Sequence, residues 1–455
     1  ASEPPPAQAE QAAPDAPAGY DEAKRAKYVF FFIGDGMSVN LVEAARYLTA
    51  SGAIERGGAG AFTGFAYTGL ITTHNAMGHV TDSAASATAM LSGAKTYNEN
   101  INYNEETGER YKTMAERLFE AGFDVGVLTS VPLNHATPAA MYASTDDRYD
   151  YDEIAMQGID CGYIDFWGGG GFRGDSEALL ASAGAAGFEI YEGDEAIAGI
   201  AAGEAPVIAT APASAGDPYM AFELDRIHDG GEALPDTPLA GILEAAVTRL
   251  GDSERFFILT EAGKIDTACS QRDAAAAVYD VLALEDAVGV AIEFMKAHPD
   301  ETLIVVTADH ETGGVLLTRA HKTAYLSRQR MSYALFSNRM RALYDENAGY
   351  EAAREAAKEI FGIGADELDG EYAEALEDAY YDALEGGETG EGLDPFVRKL
   401  CDIMSRESGV AVTTASHTAG MVPVFASGCG AELFTGCYDN VEIFSRLLSA
   451  MGLPE

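Results

Sequence analysis

Basic side chains are scarce in this chain of 455 residues: 29 Lys and Arg stand against 73 Asp and Glu, a formal charge of −44. So negative a surface argues against nucleic acid as a structural partner and against anionic membranes. An acidic, well-solvated surface suited to salt is the simpler account. Any anionic substrate must then be drawn in by local positive charge, because the global field repels it. Cysteine is sparse too. The five present (Cys161, Cys269, Cys401, Cys429 and Cys437) make no CxxC pair and no zinc-finger spacing. Cys429 and Cys437 could close a short loop in an oxidising compartment, and an odd count leaves at least one thiol free. No run reaches the roughly 18 uncharged apolar residues of a membrane span, so no transmembrane segment is expected. Internal repeats are absent as well.

A hydrophobic content of 47% supports a substantial core and excludes global disorder. The length admits two or three average domains, or one large α/β enzyme. Residues 1–19, ASEPPPAQAEQAAPDAPAG, are acidic, rich in Pro and Ala and without apolar periodicity, which predicts a flexible leader. An exported protein shorn of its signal, or one tethered behind a lipid anchor, would begin this way. The expected location is therefore periplasmic, extracellular or lipid-anchored at the cell surface; a ragged cytosolic terminus is the alternative.

Several apolar runs end abruptly in polar residues: KYVFFFIGDGM from Lys27, FDVGVLTS from Phe123, RFFILTEA from Arg255, TLIVVTADHE from Thr302 and VAVTTASHT from Val410. Continuous apolar runs suit strands buried on both faces. Helical patterns lie between them, as in YKTMAERLFEAG from Tyr111 and the long run from Arg272. The alternation predicts an α/β fold, a three-layer sandwich with a largely parallel central sheet flanked by helices. Residues 316–408 lack strand candidates and are helical and acidic, which predicts a helical cap or insertion between two core strands.

The ionisable residues fall in a pattern. Asp35, Glu261, Asp266, Asp309, His310 and His417 all come at or just after the ends of the apolar runs. Open α/β sheets bind ligands at that edge. Any one of these could be a turn residue; six at one edge are hard to explain so. VTDSAASATAMLSG places Ser83 at the start of a small-residue helix whose free N–H groups would suit an anion, although Asp-Ser before a helix is by itself ordinary capping. In TADHETGG, adjacent Asp309 and His310 offer oxygen and imidazole nitrogen, a combination that suits zinc.

In order along the chain, FFIGDGM, VTDSAASATAM, NHATPAA, TEAGKID, TADHETGG and SHTAG resemble the alkaline phosphatases, over about Tyr28 to Gly428. The resemblance implies that residues 20–455 form the catalytic domain, with two zinc ions and one magnesium beside a nucleophilic serine. Ser83 matches that nucleophile, which becomes phosphoserine. Arg148 matches the arginine that grips phosphate, and it is the basic side chain expected to face substrate; Asp82 matches the aspartate that steadies it. Asp35, Asp309 and His310 match the ligands of the zinc that activates the serine. Asp35, Thr137 and Glu261 match the magnesium site, with His135 where members differ between Asp and His. The implied substrates are small phosphate monoesters, and the family is often dimeric, which allows a homodimer.

One family ligand is missing. The other zinc takes Asp266, His417 and a histidine four residues after the aspartate, and here that position holds Ser270. A serine hydroxyl is a poor zinc ligand; the neighbouring Cys269 would be a good one. Free cysteine is commonly a buried small hydrophobe, so the expectation is a weakened zinc site, with cysteine ligation as the alternative. The implied reaction is phosphomonoester hydrolysis. A superfamily phosphodiesterase and a weakly active phosphate- or metal-binding descendant are the rivals.

Overall fold

The computed structural model describes residues 24–56, 60–213, 217–228, 237–318, 322–364, 368, 370–387 and 392–454. The leader expected over residues 1–19 lies outside them. In chain order the strands are β1 (Tyr28–Gly34), β2 (Tyr67–Thr72), β3 (Tyr103–Asn104), β4 (Glu109–Arg110), β5 (Asp124–Thr129), β6 (Phe166–Gly169), β7 (Glu189–Glu192) and β8 (Val207–Thr210). There follow β9 (Phe256–Ala262), β10 (Thr302–Thr307), β11 (Glu311–Thr312), β12 (Leu316–Leu317), β13 (Val410–Ala411), β14 (His417–Thr418), β15 (Val422–Gly428) and β16 (Gly436–Asp439).

Ten of these form one sheet in the order β16-β2-β15-β10-β1-β9-β5-β6-β8-β7. The run from β10 to β7 is parallel throughout. Only β15 runs against the others, pairing antiparallel with β10 and β2. Every residue of β1, β9 and β10 is buried, which is why these strands read as unbroken apolar runs rather than alternating ones. Helices Val39–Ala50, Leu239–Leu250 and Ala274–Ala297 pack together as one layer, and helices Ser83–Ser92 and Val441–Met451 pack together in the other. The chain is thus the three-layer α/β sandwich expected from its patterning. Phe30, Phe256 and Phe294 meet edge to face beneath helix Ala274–Ala297, joining two strands to one helix.

Register sets the functional edge. Ile33 pairs with both Thr307 and Glu261, and Glu261 with Thr129. The residues that follow these strand ends therefore emerge side by side. One expectation needs correction. VAVTTASHT is not a core strand: it holds two short strands outside the main sheet, and the first, Val410–Ala411, pairs with β12. His417 lies on the second, β14, a short antiparallel partner of β11. The strand that completes this part of the sheet is β15, which is antiparallel and so enters from the functional edge, with β14 just before it.

Between β12 and β13 the described elements are all helical, and Phe336, Phe361, Tyr380, Phe396 and their neighbours form a hydrophobic cluster separate from the main core. Asp225 accepts from the backbone N–H and the hydroxyl of Ser332, both at 2.6 Å. Asp273 accepts from the Gln329 side chain and the Tyr333 N–H. Asp273 is also the N-cap of helix Ala274–Ala297, so the helical segment is tied to the core close to the functional edge. No described helix is long and apolar enough to cross a membrane. All five cysteines are free thiols, Cys429 and Cys437 included.

Candidate metal centre

Ser83 is the first residue of helix Ser83–Ser92, whose Ala-rich composition leaves nine of its ten residues buried. Asp82 caps the helix, accepting from the Ala85 N–H at 2.9 Å. Its other oxygen accepts from Arg148 Nη1 and from the Glu99 N–H, both at 2.9 Å. Asp82 therefore locks the arginine to the start of the serine's helix. Burial works against the charge of Arg148, but Asp82 offsets this and its guanidinium stays protonated above the usual range. Ser83 Oγ lies 3.4 Å from Asp35 Oδ2 and 3.3 Å from His310 Nε2.

Among the described residues, three groups of side chains offer ligand atoms within 4.8 Å of one another: Asp35, Asp309 and His310; Asp35, His135 and Glu261; Asp266, His310 and His417. The first two share Asp35, and the first and third share His310. Asp35 Oδ1, Asp309 Oδ2, Glu261 Oε1, Thr137 Oγ1 and His135 Nδ1 are buried without a hydrogen-bond partner. Unsatisfied buried carboxylate oxygens are costly, and the three orphaned here, on Asp35, Asp309 and Glu261, fall in the two groups that share Asp35 and fit bound cations. The charge pattern agrees. Burial, then Asp309 and the other nearby carboxylates, pushes Asp35 well above the usual carboxylate range. Burial pushes Glu261 up to about 7. A divalent cation would remove that conflict by favouring the ionised forms.

Hydrogen bonding decides which nitrogen each histidine presents. Thr312 has one hydroxyl proton and gives it to Asp266 Oδ1 at 2.6 Å. Toward His310 Nδ1, 3.2 Å away, the same oxygen can only accept. His310 therefore carries its proton on Nδ1 and turns a bare Nε2 toward Asp309 Oδ2 (3.3 Å) and Asp35 Oδ1 (3.5 Å). Burial, then the neighbouring His417, lowers its pKa to about 3, so the ring is neutral. His417 donates from Nδ1 to the Thr81 carbonyl at 3.0 Å, and its Nε2 faces Asp266 Oδ1 at 3.5 Å. The two imidazoles stack with centroids 3.7 Å apart.

Gly36 makes this packing possible. Its φ is +73°, and a Cβ there would sit 2.8 Å from Thr312 Oγ1. Its N–H holds Asp309 Oδ1 at 3.0 Å while its carbonyl accepts from the Thr312 N–H.

The Asp266 and His417 pair differs from the other groups. With His310 Nε2 turned toward Asp35 and Asp309, two candidate ligands remain, their side chains 23% and 26% exposed. Ser270 is half-buried at the end of helix Lys264–Ser270. Cys269 is fully buried and belongs to none of the three groups. Burial, then Asp266 and other carboxylates, raises its pKa well above the ordinary thiol value, so it stays a protonated thiol. His135 Nε2 accepts from Arg148 Nη2 at 3.3 Å, which ties this imidazole to the arginine. Burial, then the charges of Arg148 and Arg173, keeps His135 neutral.

Sequence reasoning did not single out Thr312, Thr129 or Arg173. Thr312 links Asp266 to His310, and Thr129 donates to Glu261 Oε2. Thr312 stood three residues after Asp309 within TADHETGG, yet a threonine carries no metal signal of its own.

The alkaline phosphatase family profile matches residues 26–162 and 217–453. The chain is 29% identical to alkaline phosphatase 3 of Bacillus subtilis over 93% of its own length and 89% of that protein. Its fold is similar to that of Thermus thermophilus alkaline phosphatase, with a TM-score of 0.80 and 26% identity over 96% of this chain and 93% of that one. A His-to-Glu mutant of TAB5 alkaline phosphatase, with Mg bound in its M3 site, aligns at a TM-score of 0.67 and 25% identity over 95% of this chain and 99% of that one. A profile that matches most of the chain and covers every group of the centre leaves one conclusion: this chain belongs to the alkaline phosphatase family, metal-dependent hydrolases of phosphate esters.

Proposed function

We propose that the protein hydrolyses phosphate monoesters through a phosphoserine formed on Ser83. One observation carries the reading: Ser83 Oγ sits within 3.4 Å of both Asp35 and His310, whose group holds two orphaned carboxylate oxygens. Asp35, Asp309 and His310 would hold one zinc ion, Asp266 and His417 a second, and Asp35, Glu261 and Thr137 a magnesium ion, with His135 beside it. The Mg-bound TAB5 relative is in keeping with that third ion. Bound there, the ions would supply Lewis-acid stabilisation of the phosphoryl oxygens and lower the pKa of the serine hydroxyl and of water.

The chain itself positions and neutralises. The start of helix Ser83–Ser92 directs free N–H groups and the positive end of its dipole at the phosphoryl group. Arg148 offers a planar fork to two of its oxygens, held in place by Asp82. Asp35 Oδ2 orients the Ser83 hydroxyl, whose proton passes to solvent as the new P–O bond forms and the bond to the leaving oxygen breaks. His310 and His417, each with its Nδ1 proton engaged, keep the tautomers that ligation requires. Phosphoryl transfer asks little else of a protein than such positioning and charge stabilisation.

The two-ligand site implies that one zinc binds loosely, which would slow release of phosphate from Ser83 more than its capture. The helical segment 316–408 is read as an insertion flanking the active edge, supported by its anchors on Asp273 and Asp225. The test is acid quenching during turnover of labelled phenyl phosphate. Label on Ser83, lost in Ser83→Ala together with most activity, is expected. Full turnover with no label on Ser83 would overturn the mechanism.

A further inference from the structure

Arg173 stands just past the end of β6, one strand beyond β5, at the same carboxyl edge as the metal centre. Its backbone is clamped to the segment that carries His135: Arg173 N–H donates to Asn134 Oδ1 at 2.9 Å, and Asn134 Nδ2 donates back to the Arg173 carbonyl at 2.8 Å. On its other side His135 accepts from Arg148 at 3.3 Å. The two arginines thus flank one histidine. Arg173 is exposed, and among the described residues no carboxylate lies within ion-pair distance of it. Its guanidinium is held instead by the Tyr219 hydroxyl, which accepts from Nη1 at 3.2 Å, and by the face of Tyr151, 5.1 Å from the ring centroid. Tyr149, beside Arg148, is 57% exposed.

On a chain of charge −44, an exposed arginine without a carboxylate at the edge of the metal centre is a local positive charge. Arg46, Arg339 and Arg354 each pair with a carboxylate, whereas among the described residues Arg110, Arg330 and Arg341, like Arg173, do not; Arg173 differs from these in being clamped beside His135. Tyrosine faces orient a guanidinium without neutralising it. Its charge therefore remains available to a ligand, against a global field that repels anions. The exposed aromatic ring of Tyr149 offers an apolar face beside it.

We propose that Arg173, oriented by Tyr219 and Tyr151, is a second anion subsite next to Arg148 and selects phosphate esters whose leaving group bears another anionic group. This rests on the phosphomonoesterase reading above. Arg148 takes the phosphoryl group to be transferred; Arg173 takes a carboxylate or a second phosphate on the part that departs. A charge-assisted hydrogen bond at a partly exposed site favours such ligands by about tenfold in affinity.

The metal-loaded enzyme can be titrated calorimetrically with phenylphosphonate, 4-carboxyphenylphosphonate and 1,4-phenylenediphosphonate, which cannot turn over. The wild type should bind the two doubly anionic probes more tightly than phenylphosphonate. Arg173→Gln should abolish that preference and leave phenylphosphonate within about twofold of wild type. Tyr219→Phe, which deletes only the hydroxyl that orients the guanidinium, should reduce the preference in part. Loss for the diphosphonate alone would identify the second group as phosphate, and loss for both would admit a carboxylate too. Equal weakening of all three probes, no weakening of any, or no binding by the wild type overturns the subsite. Turnover of phenyl phosphate, measured alongside, reports separately on the phosphomonoesterase reading.

Discussion

The Thr312 hydroxyl donates to Asp266 and accepts from His310, and so couples two groups of candidate ligands through one proton. Thr312→Val keeps the shape and removes the link. Asp266 then loses a donor, and His310 is free to flip its tautomer. Losing such a supporting partner costs roughly 10–100-fold in metal affinity. Competition with a chromophoric chelator should show that weakening, while Thr312→Ser should restore most of it. Unchanged affinity in Thr312→Val would mean that the metals do not depend on this tautomer.

Ser270→His should return a third ligand to the Asp266 and His417 pair. The native protein is expected to lose zinc readily from that pair on dialysis and to gain activity with added zinc. The substitution should tighten binding there at least 10-fold, by the same order as a supporting partner, and reduce the dependence on added metal. Cys269→Ala should leave the zinc content as it was. Loss of a zinc ion in Cys269→Ala would instead make the thiol a ligand.

Arg148→Ala removes a side chain that engages Asp82 and His135 at once. Inhibition by inorganic phosphate should weaken by roughly 1.5–3 kcal/mol, the worth of hydrogen bonds between charged groups. Diester hydrolysis should suffer less, since a diester presents one charged oxygen fewer. Equal losses on monoester and diester would count against a role in recognising the monoester.

Asp225 supplies a pH test of the anchor between the core and the helical segment. Burial, only partly offset by the two Ser332 hydrogen bonds, pushes its carboxyl up to about 6. The folded protein thus holds a proton that the unfolded chain releases near pH 4. Stability from this group is at its greatest below pH 4, declines as pH rises to 6 and is flat above, by about 3 kcal/mol in all. Asp225→Asn cannot titrate, so its urea midpoint should fall less than that of the wild type between pH 4.5 and pH 7.5. Parallel pH profiles for the two proteins would show that Asp225 is ionised throughout.

Reading along the chain was sufficient for the architecture and for the identity of most chemically capable residues. Continuous apolar runs of strand length fit strands buried on both faces, and residues at their carboxyl ends share an edge where those strands are parallel. That is a local property, written in hydropathy. Asp35, Glu261, Asp309 and His310 were legible for this reason. His417 was placed on the wrong kind of element, because strand direction depends on which neighbour a segment finds, and β15 is antiparallel. Thr312 and Arg173 were invisible because their significance lies in partners distant in sequence, Asp266 for one and Asn134 and Tyr219 for the other. Ser270 was visible as a substitution, but how far it isolates Asp266 and His417 depends on the direction of His310 Nε2. A single hydroxyl proton on Thr312 decides that, and only packing around Gly36 brings the hydroxyl there.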